Sequence, residues 1–371
     1  MRKILPLLLS LTLISFTTGC MDRIIIEEVS LALLVGIDLD EKNNLVLSIS
    51  SPVFSEEAKV KEEVYITKAY TLRESREEVD KTFLALTTGG KTQAVLIGKR
   101  VMEHQGWFKL LEPFLRDAKN TVNARIVMVD GIAHQIITLQ PKDKPRLSLY
   151  LAKLIDKDNL RNMNVKITLE DLRRDNYENG ITASVTELRK DGKILVTGTA
   201  LLDELGRYKL SIGPDENKLL HILQNNIKGE FSFTFRDANR PKGEIFPDDA
   251  YSFSAGSISV KTKTGYQDDK FTFDIAVDMR VALTERFFPL DILKEGDKLE
   301  REMEREFEKR FKKFIGKIQA AKIDPIGLGI HARAYQYDHY KPVQNKWGEA
   351  LSKADVNVKV KTVITSMGTT K

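Results

Sequence analysis

Residues 271–281 read Phe-Thr-Phe-Asp-Ile-Ala-Val-Asp-Met-Arg-Val. Every odd position is a large apolar residue, with Thr272, Asp274, Asp278 and Arg280 between, the period-2 pattern of a strand with one buried and one wet face. Upstream, Phe231-Ser-Phe233-Thr-Phe235 repeats the pattern, and near the end Val356-Asn-Val358-Lys-Val360-Lys-Thr362-Val-Ile364 repeats it again. Between these strands the period changes. From Leu290 to Ile318, Leu299, Met303, Phe307, Phe311, Phe314 and Ile318 recur at spacings of three and four, which predicts one long amphipathic helix. Its apolar stripe is expected to cover a sheet in the same domain. Its basic end, Lys309, Arg310, Lys312 and Lys313, is expected to be a solvated face. Glu306 with Arg310 and Glu308 with Lys312 stand at i,i+4 in the favourable orientation. Helix followed by strand makes the C-terminal part, residues 229–371, an α+β domain, with the last strand at a sheet edge.

The first half of the chain alternates in the same way. Leu31–Asp40 and Leu45–Val53 flank Glu41-Lys42-Asn43-Asn44, a polar turn suited to a hairpin. Val64–Tyr70 reads as a strand, Leu72–Leu86 as a helix, Ala94–Ile97 as a strand, Trp107–Leu115 as a helix and Ala124–Val129 as a strand. This region is therefore predicted to be strand-rich, with helices laid over one face of a sheet. Pro141 and Pro145 precede a helical stretch, Leu147–Ile155. Ile181–Leu188 and Ile194–Leu202 form strands joined through Asp191-Gly192, a turn pair tolerant of positive φ. A short helix, Glu216–Leu223, leads to Gly229. Residues 20–228 thus form an N-terminal α+β region of one or two subdomains, and the fold class is α+β with antiparallel or mixed sheets covered by helices.

The N-terminus is of another kind. Arg2 and Lys3 precede an apolar run, Ile4–Phe16, too short to span a bilayer and of the length of a signal-peptide core. The run ends in Thr17-Thr18-Gly19-Cys20, small residues leading into a cysteine, the arrangement a lipoprotein-processing system acylates and cleaves before. Thr17 stands where such boxes usually carry a bulky aliphatic residue. Residues 1–19 are expected to be a cleaved signal peptide and Cys20, the single cysteine, a lipidated N-terminus. After it no segment is apolar for the ~18 residues that a membrane crossing requires.

Removing Arg2 and Lys3 lowers the formal net charge from +5 to +3. Basic residues are dispersed among nearly as many acids, which argues against a nucleic-acid partner. With Cys20 lipidated no thiol remains, so the fold must rest on buried apolar area. Gly89-Gly90-Lys91-Thr92 imitates the end of a phosphate-binding loop, but Ala85 replaces its first glycine and a helical segment precedes it, so it reads as a turn. His104, His134, His221, His331 and His339 show no metal-ligand spacing. No Gly-x-Ser-x-Gly elbow occurs. The chain is read as non-enzymatic, without cofactor or metal.

Both ends resemble one family. Gly19-Cys20-Met21-Asp22-Arg23, then Glu27-Glu28 and Ala32-Leu33-Leu34-Val35-Gly36-Ile37-Asp38-Leu39-Asp40, is similar to the opening of the Ger(x)C family, although Met21 replaces the usual tryptophan. Asp324-Pro325-Ile326-Gly327-Leu328-Gly329 after a charged helix, then Trp347, then the final strand closing in Thr365-Ser366-Met367-Gly368, resembles the family's C-terminal pattern. The resemblance implies the C subunit of a nutrient germinant receptor, anchored by diacylglyceryl-Cys20 to the outer face of the spore inner membrane. It also implies A-type and B-type membrane subunits as partners. Physically, Asp324-Pro325 with Gly327 and Gly329 is a helix-to-next-element turn or, alternatively, a partner contact. Trp347 is likewise either core or an interface anchor. The rival reading is a lipid-anchored solute-binding protein that captures a small nutrient, for which repeated βαβ units with parallel strands would be expected.

Overall fold

The computed structural model describes residues 29–366 apart from 56, 84, 238, 239, 241, 242, 290 and 291. The signal peptide, Cys20, the Gly19–Glu28 part of the family resemblance, Leu290, Met367 and Gly368 lie outside the described residues. The fold is α+β. Its N-terminal strands are β1 (Val29–Leu31), β2 (Leu34–Leu39), β3 (Leu45–Pro52), β4 (Glu62–Lys68), β5 (Leu86–Thr88), β6 (Ala94–Gly98) and β7 (Arg125–Val129). Then come β8 (Ser184–Asp191), β9 (Lys193–Leu202) and β10 (Tyr208–Ile212). Eight of these make one sheet in the order β10-β9-β8-β7-β6-β2-β3-β4, while β1 and β5 pair separately.

Helices cover both faces of this sheet, not one. Ala94 and Leu96 point to a core shared with α3 (His134–Ile137) and α4 (Leu147–Leu160), through Ile136, Leu151 and Ile155. Val95 and Ile97 point the other way, to a core with Val79 of α1 (Leu72–Asp80), Phe114 of α2 (Glu112–Arg116) and Leu172 of α5 (Leu169–Tyr177). A strand buried on both faces has no wet side, which is why 94–97 is a continuous apolar run without alternation. The four central strands, β2, β6, β7 and β8, run parallel to one another, and the flanking pairs β2–β3 and β8–β9 are antiparallel. Parallel strands of the kind expected of a solute-binding protein are thus present, but the eight-stranded and four-stranded sheets do not build two similar lobes.

Helix α1 ends at Asp80, six residues before the expected Leu86. The Asp80 carboxylate accepts the Thr87 N–H at 2.8 Å and turns the chain into β5. The 41–44 turn forms the expected hairpin between β2 and β3, with Asn43 at φ 61° and the Asp40 carboxylate accepting the N–H groups of Lys42 and Asn44. Gly192 likewise takes φ 62° between β8 and β9.

The third sheet has the order β11 (Phe231–Arg236), β12 (Ala250–Gln267), β13 (Lys270–Arg286), β14 (Asp355–Ser366). Its first three strands are antiparallel, and β14 lies parallel to β13 at the edge. The 18-residue β12 is absent from the sequence reading because Ser, Thr, Gly and Lys dominate it; its neighbours supply its register. Across this sheet lies α7 (Ile292–Ala321), with Leu299, Met303, Phe307, Phe311, Phe314 and Ile318 all buried. Phe307 meets Phe233 and Phe235 edge to face at 5.0 and 4.8 Å. Each such burial contributes roughly 1.5–3 kcal/mol. Glu306 pairs with Arg310 at 2.8 Å as expected, whereas Glu308 turns to Lys359 of β14 instead of Lys312.

Candidate functional site

The helix α7 runs out at Ala321, and Lys322, at φ 57°, turns the chain into Ile323-Asp324-Pro325. Asp324 is fully buried. Its Oδ1 accepts the N–H groups of Ile326 at 3.2 Å and Gly327 at 2.8 Å; its Oδ2 accepts those of Gly329 at 2.8 Å and of the Trp347 indole at 2.7 Å. Burial pushes the carboxyl above the usual carboxylate range, and these donors oppose the push. One side chain thus organises the turn, the start of α8 (Leu328–Tyr335) and the start of α9 (Trp347–Leu351).

The same turn locks the last third of the chain onto the eight-stranded sheet. Thr182 and Asp324 exchange two bonds: the Thr182 N–H donates to the Asp324 carbonyl at 2.8 Å, and the Asp324 N–H to Thr182 Oγ1 at 3.1 Å. Gly180 and Gly329 lie backbone against backbone; a Cβ on Gly329 would stand 2.7 Å from Gly180 Cα and 2.7 Å from Trp347 Nε1. Gly327, at φ 90°, takes the left-handed conformation before α8. Around this contact Arg333 grips Glu178 bidentately at 2.7 and 3.0 Å, Gln224 donates to the Pro325 carbonyl at 2.7 Å, and Gly348 donates to Glu204. Burial opposes but the Arg333 guanidinium outweighs it, holding Glu178 below its usual range.

Asp324, Pro325, Gly327, Gly329 and Trp347 are therefore all brought together, and all are buried within the chain. Trp347 packs edge to face on Phe271 at 5.1 Å, in the core of the third sheet. Sequence reasoning missed Thr182, Gly180, Glu178 and Arg333, because nothing in a linear motif names the partner 140 residues upstream. Asp38, of the Gly36-Ile37-Asp38 stretch, has a comparable role. It accepts the N–H groups of Ala133 at 2.7 Å and His134 at 2.9 Å and so begins α3. The Gly89–Thr92 segment is a turn into β6: Thr92 is buried and its hydroxyl donates to the carbonyls of Ala32 and Gly89. Among the described residues no group of three or more His, Cys, Asp or Glu is placed to hold a metal, and no helix is long and apolar enough to cross a membrane.

Beside the joint lies a cleft of about 410 Å³, walled by α5, the end of α4, the 224–228 loop and Pro325. It is mainly polar. His221, on α6 (Pro214–Leu223), sits in its floor as a neutral imidazole: Nε2 donates to the Asn164 carbonyl at 3.1 Å and Nδ1 accepts from Asn226 at 3.0 Å.

The two halves of this arrangement match two family models. Residues 22–190 match the spore germination protein N-terminal domain, and residues 197–368 the spore germination B3/GerAC-like C-terminal domain. The chain therefore belongs to the Ger(x)C family of spore germination proteins. Among its relatives, spore germination protein A3 of Bacillus subtilis (strain 168) is 23% identical over 384 residues, covering 95% of each chain. Spore germination protein B3 of the same organism is 23% identical over 287 residues, covering 75% of this chain and 74% of its own. The crystal structure of the GerBC protein has the same fold, with a TM-score of 0.57 at 16% identity, covering 89% of this chain and 96% of that one.

Proposed function

We propose that the chain is a lipid-anchored, non-enzymatic subunit of a nutrient germinant receptor, acting by assembly with A-type and B-type membrane subunits at the outer face of the spore inner membrane. The observation that carries this reading is the full-length match to germination proteins combined with the fate of the family motif. Asp324, the glycines and Trp347 are used inside the chain to weld its halves, so the motif maintains a rigid body instead of presenting reactive groups. A partner would meet the surface this turn shapes, where Ile330, Tyr335 and Tyr337 are exposed, and not the motif side chains themselves. We place the division between the units at 228/229, ahead of β11. Diacylglyceryl-Cys20 supplies two acyl chains, enough for stable anchoring where one is marginal, and raises the effective concentration beside membrane partners.

The test is affinity purification of the tagged full-length protein from gently solubilised spore membranes. Recovery of a permease-like protein and a second multi-span subunit supports the reading; recovery of this chain alone, under conditions that keep other complexes whole, overturns it. In parallel, Cys20→Ala should leave the protein folded but in the soluble fraction. A variant that still pellets with membrane removes the anchor from the proposal.

A further inference from the structure

The two larger sheets end in the edge strands β10, β4, β11 and β14. Three of these edges are covered by side chains from other elements. Glutamates of α7 accept from β14, Lys317 of α7 donates to the Ser211 carbonyl of β10 at 3.1 Å, and Lys218 of α6 donates to the Ser232 carbonyl of β11 at 2.7 Å. At β4, among the described residues, no side chain of another element bonds the backbone. The Ala69 N–H donates to the Leu45 carbonyl at 3.4 Å and the Val53 N–H to the Lys61 carbonyl at 3.0 Å, so the odd-numbered residues bond β4 to β3. The N–H and C=O groups of Glu62, Val64, Ile66 and Lys68 therefore point away from the sheet, where no strand takes them up.

The side chains of these four residues share one face, while Tyr65, on the other, packs against Phe83. Val64 and Ile66 are apolar yet 36% and 42% exposed. Edge strands are commonly blunted by charge, but here the middle of the strand is apolar and its two ends are charged with opposite sign. Glu62 is held by the Ser50 hydroxyl at 2.5 Å and the Leu147 N–H at 3.3 Å, and no cation pairs with it among the described residues. Lys68 reaches Asp40 at 2.7 Å with a side chain that is otherwise exposed.

A second β4 laid antiparallel about a twofold axis at Tyr65 sets Glu62 opposite Lys68 and Val64 opposite Ile66, each twice. Continuing that register brings exposed Val60 opposite exposed Tyr70. Moving the axis to Val64 opposes Glu62 to Ile66, and moving it to Ile66 opposes Val64 to Lys68. Charge and apolar complementarity thus select one register, and in it the strand is its own partner.

We propose that β4 is the interface of a homodimer, in which two copies pair edge to edge and their eight-stranded sheets become continuous. In this register Glu63 faces Thr67 of the second copy in a non-hydrogen-bonded pair, with Cα atoms about 4.5 Å apart, within disulfide reach. Each of these residues lies about 13 Å from its own counterpart, out of reach.

The experiment uses the mature lipidated protein in density-matched detergent. Sedimentation equilibrium should show two chains per particle, and Ile66→Lys, at an exposed position, should weaken the dimer at least about tenfold. A circular-dichroism melt verifies that this variant folds. On oxidation, the double variant Glu63→Cys/Thr67→Cys should run as a disulfide-linked dimer, and neither single variant should. A single chain per particle in the wild type, an Ile66→Lys dimer of unchanged affinity, or a double variant that does not cross-link overturns the proposal. So does cross-linking of the double variant, in spore membranes, to a chain of different mass, which would give the edge to another subunit. Sedimentation and cross-linking decide the dimer while co-purification decides receptor assembly, so the two can fail separately.

Discussion

The carboxylate of Glu304, on α7, accepts the backbone N–H of Thr362, on the edge strand β14, at 3.0 Å. It is the middle rung of three: Glu300 accepts from Ile364 at 2.7 Å and Glu308 from Val360 at 3.3 Å. Four helical residues advance about 6.0 Å and two strand residues about 6.6 Å, so i,i+4 glutamates meet alternate N–H groups in step. An edge strand otherwise offers these donors to another chain. Replacing Glu300, Glu304 and Glu308 together by alanine should cost about 2–4 kcal/mol and make the protein associate at its edge. Urea denaturation and light scattering check this; a monodisperse triple variant of unchanged stability refutes the ladder's role.

Trp347→Phe removes the indole N–H and leaves Asp324 Oδ2 with one donor in a site shut off from water. The expected loss is about 2–4 kcal/mol in urea unfolding. Asp324→Asn should cost at least as much, since in either orientation its amide N–H₂ faces N–H donors of the turn.

Two glycines should respond oppositely to alanine. At Gly329 the new Cβ meets Gly180 and the Trp347 indole at 2.7 Å, so backbones must part and the expected loss exceeds about 2 kcal/mol. At Gly316, inside α7 and with nothing within 4 Å, the gain should be about 0.5–1 kcal/mol. Melting temperatures moving in the same direction would contradict the packing described.

Burial lowers the pKa of His221 from its ordinary 6.5, the Asn164 carbonyl opposing. A depressed folded value means the unfolded chain binds the proton more tightly. The contribution of the neutral ring is therefore fully present above 6.5 and lost as pH falls through the depressed folded value. Unfolding free energy should thus decline on acidification from about pH 7.5 to about pH 5. His221→Gln should flatten this limb by up to one proton in the slope; an identical slope excludes His221 as its source.

Much of the third sheet was legible because its signals are local. Phe231–Phe235, Phe271–Val281 and Val356–Ile364 each show one wet face, and Leu299–Ile318 shows one apolar stripe. The polar β12 carries no such signal, since its place is dictated by the strands on either side. The central strands of the first sheet were recognisable as strands, but an unbroken apolar run such as 94–97 does not say how many faces are covered. The candidate site divides in the same way. Asp324, Gly327, Gly329 and Trp347 stand out as a motif, whereas Gly180, Thr182 and Glu178 look like ordinary loop residues until the fold brings them alongside.

The sequence by itself determined the α+β class, most elements and the family, because periodicity, turn chemistry and motif spacing are properties of neighbouring residues. Only the tertiary structure decided that the motif faces inward and that glutamates of α7 close the edge of β14. Each of those depends on which distant backbone donor or side chain lies within about 3 Å, a distance set by packing and not by position along the chain.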